Sequence, residues 1–137
     1  MPPTGTMTFS KEERLCSKSD IERLFNKNGS RSMAAFPLRL VYTRTDTGGG
    51  RPAAQVLVSV SKRHFKRAVK RNRVKRQVRE AYRLNKHILY DRLGGSGGQG
   101  VAMAFIWLDD KTWDTAEVKR KMANLLQRLA EKIDTRP

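Results

Sequence analysis

The sequence predicts one α+β sandwich in the order helix, two or three strands, helix, strand, helix, and three observations carry that prediction. Two short runs, residues 36–43 and 55–60, alternate in the manner of a strand with one buried face. Residues 101–108 are almost continuously apolar, the pattern of a strand covered on both faces. Two longer stretches, 74–89 and 118–133, repeat apolar residues every three or four positions, as amphipathic helices do. A chain of 137 residues suits one domain with a modest core, and neither a repeat nor a composition shift divides it.

Taken in order, residues 1–9 read as a flexible arm. Ser10 with Glu13, and then Ser17 with Asp20, have the spacing of helix capping boxes. Ile21, Leu24 and Phe25 make an i, i+3, i+4 apolar face, and Gly29 after Asn28 is a stop signal. In the first strand Phe36, Leu38, Leu40 and Tyr42 alternate with Pro37, Arg39 and Val41, and Pro37 implies an edge position or a strand start. Residues 48–52 turn the chain. The next strand puts Val56, Val58 and Val60 on one side and Leu57 and Ser59 on the other; an antiparallel hairpin of these two strands is expected, with a further short strand near 31–35.

A helix ending near Arg92 follows, then a Gly-rich loop at 94–100 that reads as a tether. It lacks the Lys-Ser/Thr ending of a phosphate-binding loop. If the 101–108 strand pairs parallel to the 55–60 strand, the intervening helix is their crossover. Asp114 and Glu117 then open a last helix through about Ile133, with Val118, Met122, Leu125, Leu126, Leu129 and Ile133 in one stripe. Trp107 and Trp113 are expected to pack at the sheet edge.

The charge is concentrated. Residues 62–86 hold 12 of the 29 Lys and Arg with one acid, Glu80, and so supply +11 of the formal +16. From Val74 onward, Val74, Val78, Ala81, Tyr82, Asn85, Ile88 and Leu89 share one helical arc, the core face. Asn72, Lys75, Arg76, Arg79, Arg83 and Lys86 fall on the other side as a cationic ladder whose rungs are roughly 5 to 6 Å apart. Like charges so spaced repel, and an anionic partner relieves the repulsion. Arg71 and Arg73 are read as the helix entrance, where free N–H groups also attract anions.

Other chemistry is poorly served. One cysteine, Cys16, excludes an internal disulfide framework and a cysteine-rich zinc site. No apolar run approaches the ~18 residues of a membrane span, and the N-terminal residues lack a secretion signal, so the expected location is the cytoplasm. His64 and His87 lie in the basic window with no serine or cysteine arranged for a triad, and are read as packing or phosphate-contact residues. Asp109 and Asp110 read as a polar turn. No complete protein active site emerges.

Ser59-Val60-Ser61-Lys62-Arg63, then Arg67-Ala68-Val69-Lys70-Arg71-Asn72-Arg73-Val74-Lys75-Arg76, then Arg79-Glu80 resembles the signature of the bacterial ribonuclease P protein component. The similarity is tight from Val58 to about Leu84 and looser elsewhere. The resemblance implies a four-stranded sheet with an unusual left-handed βαβ crossover, the ribonuclease P protein or ribosomal S5 domain 2-like fold. It implies a subunit with no catalytic residues of its own, assisting a catalytic RNA in endonucleolytic removal of the 5′ leader from precursor tRNA. Magnesium would be bound mainly by the RNA subunit and substrate, and neither a membrane nor an obligate protein partner is expected.

On the same ground, Arg71, Asn72, Arg73, Lys75, Arg76, Arg79 and Arg83, with Lys62, Arg63, Lys66 and Arg67, would meet RNA. A cleft between the N-terminal helix and the sheet would hold the single-stranded leader. Its candidates are Ile21, Phe25, Phe36 and Tyr42, with Lys62 and Arg63 at the rim. Family members often carry two aromatics one turn apart on this helix, whereas the earlier position here is Ile21. The alternative reading is a structural RNA-binding protein, ribosomal-protein-like, with no processing role; a double-stranded DNA binder fits less well, because no turn-and-helix partner precedes the basic helix.

Overall fold

The structure is a computed structural model that describes residues 21, 22, 25, 31–46, 54–89 and 99–134. The expected arm, both capping boxes, Leu24, the Gly29 stop, the 48–52 turn and residues 94–98 of the Gly-rich loop lie outside them. Six elements follow one another: β1 (Arg31–Ala35), β2 (Leu38–Asp46), β3 (Ala54–Ser59), α1 (Ala68–Asn85), β4 (Gln99–Trp107) and α2 (Thr115–Asp134). They form the predicted α+β arrangement with a four-stranded mixed sheet in the order β1-β2-β4-β3.

That order corrects the expected pairing of the first two predicted strands. β2 forms its hairpin with β1, through Met33↔Leu40 and Ala35↔Leu38, and not with β3. β4 lies between β2 and β3, antiparallel to the first (Leu40↔Phe105) and parallel to the second (Val58↔Phe105). The reason is burial. β4 is the most apolar strand, with Val101 to Phe105 each at most 1% exposed, so it takes the position covered on both faces and both edges. α1 is therefore the crossover joining parallel neighbours, as anticipated. β4 also begins two residues earlier than expected: Gln99 and Gly100 pair with Asp46 and Thr45.

Period-two alternation divides the sheet residues between two faces. Leu38, Leu40, Tyr42, Val56, Val58, Met103, Phe105 and Trp107 join Val74, Val78, Ala81 and Tyr82 of α1 and Val118, Met122, Leu125, Leu126 and Leu129 of α2 in the main core. Each such aliphatic side chain contributes about 1.5–3 kcal/mol on burial. Val41, Ala102 and Ala104 face the other way, with Ile21, Leu57 and Ile106 packed on them. Ile21 and Glu22 are helical, and the Phe25 N–H donates to the Ile21 carbonyl at 3.3 Å, so an N-terminal helical turn covers the face opposite α1.

Three placements differ from expectation. Trp107 ends a central strand and is 1% exposed in the core, away from any sheet edge. α1 starts at Ala68, six residues before its apolar stripe, because Ala68 to Arg73 face solvent or the preceding turn and carry no periodic signal. It ends at Asn85; Lys86 breaks it, and 87–89 add one turn closed by the Leu89 N–H on the Lys86 carbonyl at 3.0 Å.

Candidate nucleic-acid interface

A basic loop precedes α1 and is fixed at several points. Ser61 organises its first turn: its carbonyl accepts from the N–H groups of His64 (3.1 Å) and Phe65 (3.3 Å), and its Oγ accepts from the Arg63 N–H at 3.1 Å. The Phe65 ring is buried in the main core. His64 Nδ1 lies 2.6 Å from Asp110 Oδ1, which ties the loop to the segment after β4. From α1, the Arg71 guanidinium donates through Nη1 to the carbonyls of Phe65 (2.9 Å) and Lys66 (2.8 Å). A loop held this way presents its cations with little ordering left to do on binding.

Lys62, Arg63, Lys66 and Arg67 in the loop, and Lys70, Asn72, Arg73 and Arg76 on α1, are exposed, whereas Val74 and Val78 on the same helix are fully buried. Lys75, Arg79 and Arg83 are half-buried at the margin. The first turn of α1 has Arg67 as its N-cap, with no side-chain cap hydrogen bond and no acid, so its N–H groups add positive potential to the loop's.

The ladder is shorter than the helical wheel implies. Lys86 is fully buried at the end of α1, beyond the helix break, and is not a rung. Arg83 donates through Nε to Glu80 Oε1 at 3.0 Å, and that hydrogen bond holds the Glu80 carboxyl below the usual carboxylate range and raises the guanidinium's own pKa. Arg71 and Arg73 are not the helix entrance: the Arg71 N–H already donates to the Arg67 carbonyl at 3.2 Å, inside the helix. Arg71 is a brace for the loop; Arg73 is free to face a ligand.

The four residues assigned to one cleft fall into three places. Ile21 and the exposed Phe25 belong to the N-terminal turn on the Val41 face of the sheet. Tyr42 is 6% exposed in the core on the opposite face, because it alternates in step with Leu38 and Leu40, which face α1 and α2; it is not a cleft residue. Phe36 lies in the β1–β2 turn, before the strand begins, and its ring meets Trp113 edge-on with centroids 5.9 Å apart.

Sequence reasoning missed a groove of about 530 Å³ between α1 and the segment after β4, lined by Arg73, Val74, Arg76, Gln77, Glu80, Thr112, Trp113 and Thr115. Gln77 Nε2 bridges it, donating to the Trp113 carbonyl at 2.8 Å and to Thr115 Oγ1 at 3.3 Å. No sequence signal joins residues 36, 77 and 113, since their meeting is wholly tertiary. Asp109 accepts from Trp113 Nε1 at 2.7 Å, a hydrogen bond that holds its carboxyl below the ordinary aspartate range. With Asp109 on Trp113 and Asp110 on His64, the turn carboxylates are engaged by side chains, and among the described residues no three of His, Cys, Asp and Glu come together as a metal site. No helix among the described residues is long and apolar enough to cross a membrane.

An α+β domain whose crossover helix buries one side against a sheet and turns a fixed array of guanidinium and ammonium groups outward has the charge distribution that suits a polyanionic partner. The chain belongs to the bacterial ribonuclease P protein component family: the family model described as Ribonuclease P matches residues 9–130. It is 41% identical over 133 residues to the ribonuclease P protein component of Porphyromonas gingivalis, covering 97% of this chain and 94% of that one. It is 38% identical over 120 residues to that of Chlorobaculum tepidum, covering 80% and 77%. Its fold matches the solved structure of the RNase P protein from Thermotoga maritima with a TM-score of 0.63 at 23% identity, over 85% of this chain and 96% of that one.

Proposed function

We propose that this chain is the protein subunit of a ribonuclease P ribonucleoprotein and assists a catalytic RNA in endonucleolytic removal of the 5′ leader from precursor tRNA. The observation that carries the reading is the segregation of α1, with Val74 and Val78 fully buried and Asn72, Arg73 and Arg76 exposed beside the braced loop. This surface meets the RNA subunit and the precursor near the cleavage region. Its work is electrostatic: it screens repulsion between two polyanions and so favours close approach of substrate and catalytic RNA. Magnesium belongs to RNA phosphates in this reading. The single-stranded leader is held on the sheet face covered by Ile21 and Phe25, with Lys62 and Arg63 at the rim; no obligate protein partner is needed.

The test is precursor-tRNA cleavage by a bacterial ribonuclease P RNA at low magnesium, with and without this protein. Stimulation is expected. Co-sedimentation with ribosomes and no stimulation would support a structural RNA-binding role instead, and cleavage by the polypeptide freed of RNA would overturn the proposal.

A further inference from the structure

We infer that Phe36 and Trp113, beside Arg73 and Arg76, form a stacking subsite for one unpaired RNA nucleotide, on the opposite side of the sheet from Ile21 and Phe25. The inference rests on the reading of this surface as an RNA interface, and adds a partner chemistry to it.

Among the described residues only Phe25, Phe36 and Val69 are large apolar side chains classed as exposed, and Phe36 is 52% exposed. Exposed aromatic surface beside guanidinium groups is what single-stranded nucleic acid uses: the base lies on a ring and the phosphate meets a cation. Both halves are present here. Trp113 lines the same groove as Arg73 and Arg76, and Phe36 meets Trp113 at 5.9 Å and 68° between planes. Duplex RNA has no free base face to offer, so the occupant is an unpaired nucleotide.

The rings are also held in place beforehand. Trp113 is fixed by its indole N–H on Asp109 and by its carbonyl under Gln77. The turn that carries Phe36 is tied to the end of β4 by the Leu108 N–H on the Pro37 carbonyl at 2.8 Å. Glu80 also lines the groove, with its carboxylate held by the Arg83 guanidinium.

The probes are fluorescein-labelled hexa-adenylate and a blunt RNA duplex of equal phosphate number, titrated at low salt against the full chain. Binding is read by anisotropy, and Trp113 by tryptophan emission, since Trp107 is sealed in the core. Hexa-adenylate should quench Trp113. Phe36→Ala should weaken hexa-adenylate roughly ten-fold and leave duplex affinity and salt slope unchanged. Phe36→Leu gives the same reading should the alanine variant not fold. Saturation of hexa-adenylate without a change in Trp113 emission sinks the subsite. So does wild-type affinity in both Phe36 variants while Arg73→Ala/Arg76→Ala weakens both RNAs, a result that leaves the RNA interface standing. If the double arginine variant binds both RNAs as tightly as the parent, the interface itself falls.

Discussion

Arg71 and Arg76 are both arginines of the basic stretch, yet their substitutions should read out differently. Arg71 braces two loop carbonyls, so Arg71→Ala should cost about 1.5 kcal/mol in urea unfolding, the value of hydrogen bonds from a charged donor. Arg73→Ala and Arg76→Ala remove exposed charges and should stay within about 0.5 kcal/mol of the parent, while weakening holoenzyme function. Loss of the thermal transition in either would put these side chains on the wrong face. Asp109 supplies a pH test. Its carboxyl is held low by the Trp113 indole, so its contribution is present above the unfolded aspartate pKa and disappears as pH falls through the lower, folded value. Trp113 emission should therefore change with a midpoint below the ordinary aspartate value of 3.8, and Asp109→Asn should abolish that titration. At this scale the sequence was least legible. The fates of Tyr42 and Lys86 depend on which sheet face a position meets and where a helix breaks, and neither is written in local periodicity.

Elements were more legible than residues. Val118, Met122, Leu125, Leu126 and Leu129 of the α2 stripe are buried as read from its period, and its start matches: the Val118 N–H closes on the Asp114 carbonyl at 3.0 Å. For α1, apolar period located the buried side and missed the first two turns, where Val69 is 79% exposed and no core contact imposes a pattern. Strand pairing was misread because alternation assigns faces, not neighbours; only the burial demand of β4 puts it between β2 and β3. Val78→Asp tests the element reading. It places an unpaired carboxylate in a fully buried position and should abolish the cooperative thermal transition, since such a group costs several kcal/mol against the 5–15 kcal/mol of a small domain.

For the molecule as a whole, charge decides the behaviour. If the exposed cations around α1 neutralise about six phosphates, log K for RNA should fall against log salt with a slope of roughly −4 to −5. A slope near −1, measured by filter binding between low and physiological salt, would mean that the face is not the contact. The sequence foretold the concentration of cations on α1 and the loop before it, because net charge and its clustering need no tertiary information. It foretold the aromatic groove not at all. The position of β4 has a consequence for synthesis. It is the strand that joins the β1–β2 hairpin to β3, so a nascent polypeptide emerging from the ribosome holds two unjoined halves until residue 107 has cleared the exit tunnel. The cationic helix is then already outside, tethered to a lone strand, and an RNA that captured it at that stage would be gripping an unfinished scaffold.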